Sequence, residues 1–210
     1  MLTSSEIKTL LIPYGFEAST EVAEKIGIYV DLLLKWNLKI ALTTVTHPVE
    51  IVKFHFGESL FAISTGACGK SRLADVGTGP GFPGLTLALA DASLQVSLIE
   101  SNLKKCAFLA EIIRRLEIPN AIILPKRMES LDSDVSGFDW VAARALGQFD
   151  ELLPWAGRRL GPTGRILLWL GDSDARKISL EPDWEWEAPV LIPGSERRFI
   201  LKGSPKTSAR

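Results

Sequence analysis

The chain has 210 residues, of which 46% are hydrophobic, so it can bury one full core but is too short for two independent enzymes. Its 24 lysine and arginine residues almost balance its 25 aspartate and glutamate residues, so no overall positive field attracts nucleic acid. Any surface that binds an acidic partner must therefore be local.

The first part of the chain, residues 1–65, is predicted to be a helical extension. Capping residues, prolines and apolar residues at helical spacing mark three helices. They run from the capping box Thr3-Ser4-Ser5-Glu6 to a point before Pro13, from about Thr20 to about Asn37, and from His47-Pro48 through Leu60.

Residues 66–203 have the pattern of an α/β unit. Strands are predicted at Leu73–Val76, Gln95–Glu100, Ala121–Leu124, Asp139–Ala143 and Arg165–Leu170, and helices are predicted to begin near Pro83 and Leu103. This alternation predicts a mostly parallel, Rossmann-like sheet. Glu187–Ile192 and Arg197–Lys202 predict an antiparallel hairpin at the sheet edge, and residues 204–210 predict a flexible tail.

A glycine-rich turn, Asp75-Val-Gly-Thr-Gly-Pro-Gly-Phe-Pro-Gly84, follows the first predicted strand. Its glycines allow the backbone to turn sharply and to approach a ligand. The spacing also matches the dinucleotide fingerprint, with Glu100 as the ribose-binding acid, so a nicotinamide-dependent oxidoreductase is one alternative. S-adenosylmethionine is favoured, because Asp75 can pair with its cationic amino group but would repel a pyrophosphate.

The ends of the next two strands supply further candidates. Glu100 ends the second strand, where its carboxylate can accept both ribose hydroxyls. Met128 and Glu129 follow the third strand, where either an adenine ring or an ordinary loop would lie.

The cysteines and the N-terminal residues predict a cytoplasmic protein. Cys68 and Cys106 lack the spacing of a zinc site or a disulfide framework, so both are expected to be reduced thiols. The first 15 residues lack the basic start and long apolar run of a secretory signal, and no apolar stretch has membrane-spanning length. We therefore expect no membrane contact and no metal.

The string from Asp75 to Gly84, with L34-K-W-N37 and L42-T43 upstream and A143-R144-A145 downstream, resembles the glucose-inhibited division protein B family. The resemblance extends from about Leu33 to Leu201. It implies a class I methyltransferase fold, S-adenosylmethionine as cofactor and methylation of guanine N7 in 16S (small-subunit) ribosomal RNA. It also implies that the protein is a monomer whose partner is this RNA or the 30S particle.

The resemblance implies roles for individual residues. Gly77 and Phe82 would contact the methionine part of the cofactor, and Arg144 would lie at the mouth of the pocket, between cofactor and RNA. Together with the residues proposed above, the candidate cofactor-binding set is Asp75, Gly77, Thr78, Gly79, Gly81, Phe82, Glu100, Met128, Glu129 and Arg144.

Four residues would line the RNA side according to the same resemblance: His55, Lys104, Lys105 and Arg197. The chain departs from the family pattern at Ala41, Phe54 and Leu170, where the family usually has a polar or cationic residue. Because these departures leave the glycine turn intact, they bear on the RNA contacts. They also leave open a non-catalytic assembly factor that binds ribosomal RNA.

The chemistry of guanine N7 determines what a catalytic site needs. N7 carries a free lone pair, so catalysis can depend on orientation and charge, without a strong general base. Arg144 is the candidate catalytic residue, since it can donate to guanine O6, to a phosphate or to the cofactor carboxylate; a structural ion pair is the alternative. N7 faces a narrow groove in A-form RNA, so the target is expected in a loop or flipped out, with Phe82, Trp36 or Trp140 available for stacking.

Overall fold

An eight-stranded sheet forms the centre of the protein in the computed structural model, which describes residues 2–66, 69–144 and 147–206. The strands are β1 (Arg72–Val76), β2 (Gln95–Ile99), β3 (Ala121–Leu124), β4 (Phe138–Arg144), β5 (Leu160–Gly171), β6 (Trp184–Trp186), β7 (Val190–Leu191) and β8 (Arg198–Pro205). The helices are α1 (Ser4–Leu11), α2 (Thr20–Asn37), α3 (Pro48–Ile51), α4 (Glu58–Ser64), α5 (Gly84–Ala90), α6 (Leu103–Leu116), α7 (Phe149–Arg159) and α8 (Asp172–Ile178).

The strand order is β3-β2-β1-β4-β5-β8-β6, and β7 also pairs with β8. Strands β1 to β5 are parallel, whereas β8 is antiparallel to β5, β6 and β7. The predicted mostly parallel sheet is therefore confirmed. The order reverses direction between β1 and β4, which is the point where open α/β sheets bind ligands at the carboxyl ends of their strands.

The C-terminal strands correct two predictions. The predicted hairpin is present, with Val190 opposite Ile200, but β8 lies between β5 and the short strands, so it is not an edge. Ser204 and Pro205, predicted to begin a flexible tail, pair with Glu185 and Trp184 of β6 and belong to the sheet. Gly203 permits this pairing, because a Cβ there would overlap the ring of Trp186. The predicted tail residues 207–210 lie outside the described residues.

Helices α7 and α8 and strand β6 were not predicted from the sequence. In α7, Pro154 interrupts the helical pattern, although Leu152, Leu153 and Trp155 are buried against the sheet. In the N-terminal region, by contrast, α1 begins with the predicted capping box and α2 has the predicted bounds. The third predicted helix is present as α3, a π-helical turn (Val52–Gly57) and α4.

The helical N-terminal region shares a hydrophobic core with one face of the sheet. Leu33 of α2 and Phe56 of the π-helical turn are fully buried in the same cluster as Leu73 of β1 and Phe108 of α6. Helices α7 and α8 cover the opposite face, where Trp155 and Ile178 pack. Residues from the N-terminal region therefore lie close enough to the strands to contribute to a site there.

Candidate cofactor and substrate site

A cleft lies at the carboxyl ends of β1, β2 and β3. Four of the predicted cofactor-binding residues line it: Gly77, Glu100, Met128 and Glu129. Glu100 is 8% exposed, and its carboxylate accepts the backbone N–H of Gly79 at 3.1 Å and that of Asn102 at 2.8 Å. A carboxylate has about four acceptor positions, so Glu100 can still accept ribose hydroxyls.

Asp75 lies beneath the glycine turn and is fully buried. Its Oδ2 accepts the backbone N–H of Gly84 at 2.7 Å, so the first N–H of α5 binds this carboxylate and is not available to a ligand. Burial raises the pKa of Asp75 to about 6, although the neighbouring Thr78 hydroxyl, the Gly84 N–H and the charge of Arg144 act to lower it.

Unpaired polar atoms lie around the turn. Oδ1 of Asp75 and Nη1 of Arg144 are buried and make no hydrogen bond with any residue that the structure describes. Unsatisfied buried groups are rare and indicate a missing ligand or water. One carboxylate acceptor and one guanidinium donor match the ammonium and carboxylate groups at the methionine end of S-adenosylmethionine, so these residues fit the expected cofactor.

Two glycines of the turn are required by protein packing and not by the ligand. Gly81 has φ +98°, and a Cβ there would overlap the hydroxyl of Tyr29 and lie 2.9 Å from Cβ of Leu85. A Cβ on Gly84 would lie 2.6 Å from Oδ2 of Asp75. At Gly79, with φ +58°, the nearest atom to a Cβ would be 3.9 Å away, so a side chain there would meet open space.

Phe82 is part of the core and does not offer a free ring face. It is 5% exposed and stacks between Tyr29, at a centroid distance of 5.6 Å, and His55, at 4.7 Å. Tyr29 also donates its hydroxyl to the carbonyl O of Pro80 at 2.6 Å, which ties α2 to the turn. A flipped base therefore cannot stack on Phe82.

Of the other two aromatic candidates for base stacking, Trp36 is half-buried against the core and Trp140 lies within it. Trp36 donates its indole N–H to Glu111 at 2.8 Å and packs edge-on against Phe108. Trp140 is 9% exposed within β4. Of the three predicted platforms, Phe82 and Trp140 are therefore not placed to stack on RNA.

Arg144, at the end of β4, forms an ion pair at the edge of a second cavity. Its Nη2 donates to Glu58 Oε2 at 2.8 Å and to the carbonyl O of Phe54 at 2.6 Å. Arg198 lies 2.8 Å from the other oxygen of Glu58, and its guanidinium lies 5.0 Å from the centroid of the Phe54 ring. Glu58, Arg144, Arg198 and Trp169 line this cavity.

The four residues expected on the RNA side are spread over three elements. Lys104 and Arg197 are exposed, and Lys105 is half-buried at the start of α6. His55 is half-buried, with Nε2 2.7 Å from Thr43 Oγ1. Burial, together with the charge of Arg144, lowers the pKa of His55 to about 4, so its imidazole is neutral at pH 7.

Sequence reasoning missed Arg198 and did not recognise the part that Glu58 plays. The adjacent pair Arg197-Arg198 was the available signal, but the sequence did not indicate which arginine would face the site. Arg198 is the first residue of β8 and faces Gly171 across the β5–β8 pair, which directs it toward Glu58, whereas Arg197 lies in the preceding turn. Of the departures from the family pattern, Phe54 supplies a carbonyl and a ring to these arginines, and Leu170 is buried.

The described residues show neither a metal-binding cluster nor a membrane-spanning helix. Among residues 2–66, 69–144 and 147–206, no group of three or more His, Cys, Asp or Glu side chains could hold a metal ion. Within the same ranges, no helix combines the length and the hydropathy needed to cross a membrane. Cys106 is a buried free thiol that donates to the carbonyl O of Glu100 at 3.2 Å, and Cys68 lies outside the described residues.

The fold belongs to the Rossmann-like class, which solved methyltransferase structures share. A SAM-dependent methyltransferase from Aquifex aeolicus aligns with TM-score 0.63 and 14% identity, covering 75% of this chain and 93% of that chain. A ribosomal protein L11 methylase from Lactobacillus delbrueckii subsp. bulgaricus aligns with TM-score 0.61 and 17% identity, covering 74% and 80%. At these identities the likeness shows the fold alone.

Sequence comparison identifies the family. Residues 22–186 match the GidB family, described as rRNA small subunit methyltransferase G. A protein named ribosomal RNA small subunit methyltransferase G from Xanthomonas euvesicatoria pv. vesicatoria is 38% identical over 179 residues, covering 82% of each chain. One with the same name from Xylella fastidiosa is 38% identical over 168 residues, covering 79% of this chain and 78% of its own length. The chain therefore belongs to the GidB family.

Family membership confirms the resemblance seen in the sequence. The comparisons give no support to a nicotinamide-dependent oxidoreductase, nor to an assembly factor without methyltransferase activity.

Proposed function

We propose that this protein transfers the methyl group of S-adenosylmethionine to N7 of a guanine in 16S ribosomal RNA. The observation that carries the proposal is the cleft at the switch point of the sheet, where Gly77, Glu100, Met128 and Glu129 converge. Membership of a family of small-subunit ribosomal RNA methyltransferases supports the RNA substrate.

Different residues would hold the different parts of the cofactor. Glu100 accepts the ribose hydroxyls, and Met128 and Glu129 lie beside the adenine. Asp75 and Arg144 supply the unpaired acceptor and donor for the methionine ammonium and carboxylate groups. Asp75 can reach the ammonium only if the turn above it shifts slightly, because its carboxylate is fully buried.

When bound, S-adenosylmethionine would supply an electrophilic methyl group to the N7 lone pair, and its sulfur would leave as a neutral thioether with the electrons of the S–C bond. No proton is removed in this step, which agrees with a site whose His55 is already engaged with Thr43. The protein therefore has to orient the base and to exclude water. Arg144 lines the second cavity and lies at the end of β4, beside β1 of the cleft, which suits it to contact the guanine.

RNA recognition is proposed to depend on a local patch of Lys104, Lys105, Arg197 and His55, to which we add Arg198. Since the formal net charge of the chain is −1, bulk RNA is attracted only weakly, and a preformed loop in the small subunit is the favoured target. The neutral His55 contributes a hydrogen bond or a ring contact, and the lysines contribute charge. We place the protein in the cytoplasm as a monomer that acts on this RNA or on the 30S particle.

Incubation of the protein with labelled S-adenosylmethionine tests the proposal. Small subunits, large subunits and a naked RNA duplex are offered separately, and label is expected on guanine N7 of the small subunit only. Gly77→Val is the control for the cleft, because φ at Gly77 is +69° and a β-branched side chain is strained there. Label only in the large subunit, or at another guanine atom, would contradict the proposal.

A further inference from the structure

A single buried carboxylate beside the second cavity holds two arginines. Glu58 is 1% exposed, its Oε2 lies 2.8 Å from Nη2 of Arg144, and its Oε1 lies 2.8 Å from Nε of Arg198. Arg144 is the last residue of β4 and Arg198 is the first of β8. One side chain from the N-terminal helices therefore joins two strands at the mouth of the site.

The surroundings of this carboxylate fix the orientation of Arg144. Trp169 of β5 donates its indole N–H to the carbonyl O of Glu58 at 2.8 Å, so the backbone of Glu58 is held as well. Nη2 of Arg144 donates both to Glu58 and to the carbonyl O of Phe54. A planar guanidinium held at one nitrogen by two acceptors has little freedom to rotate.

Two arginines face the carboxylate of Glu58 in this cluster. Arg144 also lies close enough to the buried Asp75 for their charges to interact, so Asp75 provides a second carboxylate for the two arginines. Within the described part of the chain, Nη1 of Arg144 has no hydrogen-bond partner, so the orientation that Glu58 imposes leaves a donor unused. A buried donor without a partner needs an explanation, and the substrate of the function proposed above would supply the partner.

We propose that Glu58 is a positioning residue for methyl transfer, which holds the guanidinium of Arg144 in the orientation that meets the target guanine. The inference rests on the function proposed above, because it requires Arg144 to act on the substrate. Glu58 itself acts through Arg144 and needs no contact with RNA or cofactor.

Single-turnover methylation of small ribosomal subunits tests this role in Glu58→Gln and Glu58→Asp. For Glu58→Gln we expect the rate to fall about 10- to 100-fold, because a misplacement of about 1 Å can cost about 100-fold. The affinity for S-adenosylhomocysteine, measured by calorimetry, is expected to fall much less than the rate, since Glu100, Met128 and Glu129 are not altered. Glu58→Asp keeps the charge but is one methylene shorter, so its rate should lie between those of Glu58→Gln and the parent.

Glu187→Gln is the matched control. Glu187 also forms ion pairs with two cationic side chains, Arg165 and Lys202. It is not among the described residues that line the two cavities. Loss of this second two-cation cluster is expected to leave the methylation rate at the parent value. A fall equal to that of Glu58→Gln would mean that the loss is a general effect on the sheet, and it would overturn the inference.

A double-mutant cycle with Arg144→Ala decides the mechanism. If Glu58 acts through Arg144, removing its charge from the Arg144→Ala protein produces no further loss of rate. A further loss there, or a Glu58→Gln enzyme as fast as the parent, overturns the inference. Should Glu58→Gln fail to fold, Glu58→Asp in both backgrounds gives the same comparison. A parent protein that binds no S-adenosylhomocysteine or methylates no RNA would reject the proposed function instead.

Discussion

Gly81 is the position where the packing of the glycine turn can be tested most directly. The substitution Gly81→Ala places a methyl group where the hydroxyl of Tyr29 lies, at a residue whose φ is +98°. The clash displaces Tyr29, which then loses its 2.6 Å hydrogen bond to the carbonyl O of Pro80. Gly79→Ala is the matched control, because a Cβ there would be 3.9 Å from its nearest neighbour.

The expected cost follows from three contributions. An L-residue at this φ costs about 1–2 kcal/mol, overpacking of the core about 1–3 kcal/mol, and the lost hydrogen bond about 1 kcal/mol. The free energy of unfolding should therefore fall by about 3–6 kcal/mol in Gly81→Ala, whereas Gly79→Ala incurs only the backbone strain. For a chain of this size, about 2–4 °C of Tm is lost per kcal/mol, so the Tm of Gly81→Ala should fall by at least about 6 °C.

Calorimetric melting of both variants, each with and without Tyr29→Phe, measures these contributions. Removing the hydroxyl makes room for the new methyl group, so Gly81→Ala should cost about 1–3 kcal/mol less in the Tyr29→Phe background. If Gly81→Ala melts no lower than Gly79→Ala, or if Tyr29→Phe gives no relief, the argument that Gly81 exists to accommodate Tyr29 is wrong.

Three further predictions concern the site. Arg144→Ala should reduce single-turnover methyl transfer about 100-fold or more while S-adenosylhomocysteine affinity falls much less; equal losses would make Arg144 chiefly a cofactor ligand. Joint replacement of Lys104 and Lys105 by Ala should weaken RNA binding and reduce its salt slope by about 2, with cofactor affinity unchanged; an unchanged slope would remove both lysines from the RNA patch. Because burial raises the pKa of Asp75 from 3.8 to about 6, the folded state holds this proton more tightly. As the pH rises from 4 to 6, the stability of the free protein should therefore fall by about 2 kcal/mol, and denaturation of Asp75→Asn should lack that part of the slope.

Much of the fold could be predicted because its elements are local patterns. The strand Ala121–Leu124 and the helix Thr20–Asn37 have the predicted bounds, since short apolar runs and capping residues mark them in the sequence. Helix α7 could not be recognised, because Pro154 interrupts its pattern and tertiary packing stabilises it. The end of β8 could not be predicted either, because it depends on the packing of the Trp186 ring against Gly203. No local sequence pattern indicates this contact.

The candidate site was predictable where strand ends fix its position. Gly77, Glu100 and Met128 follow three parallel strands and meet at one edge of the sheet. Phe82 belongs to the same turn, but its ring is covered by Tyr29 and His55, which lie 53 and 27 positions earlier in the chain. Contacts between residues so distant in sequence leave no signal in spacing or composition.

The N-terminal region is part of the site as well as a cover for the sheet. Tyr29 of α2 holds the turn at Pro80, and His55 packs on Phe82 within that turn. Glu58 at the start of α4 pairs with Arg144 at the other side of the site. The glycine turn and the candidate catalytic arginine are thus each fixed by side chains from residues 1–65. A change in how these helices pack would therefore move the glycine turn and Arg144 together.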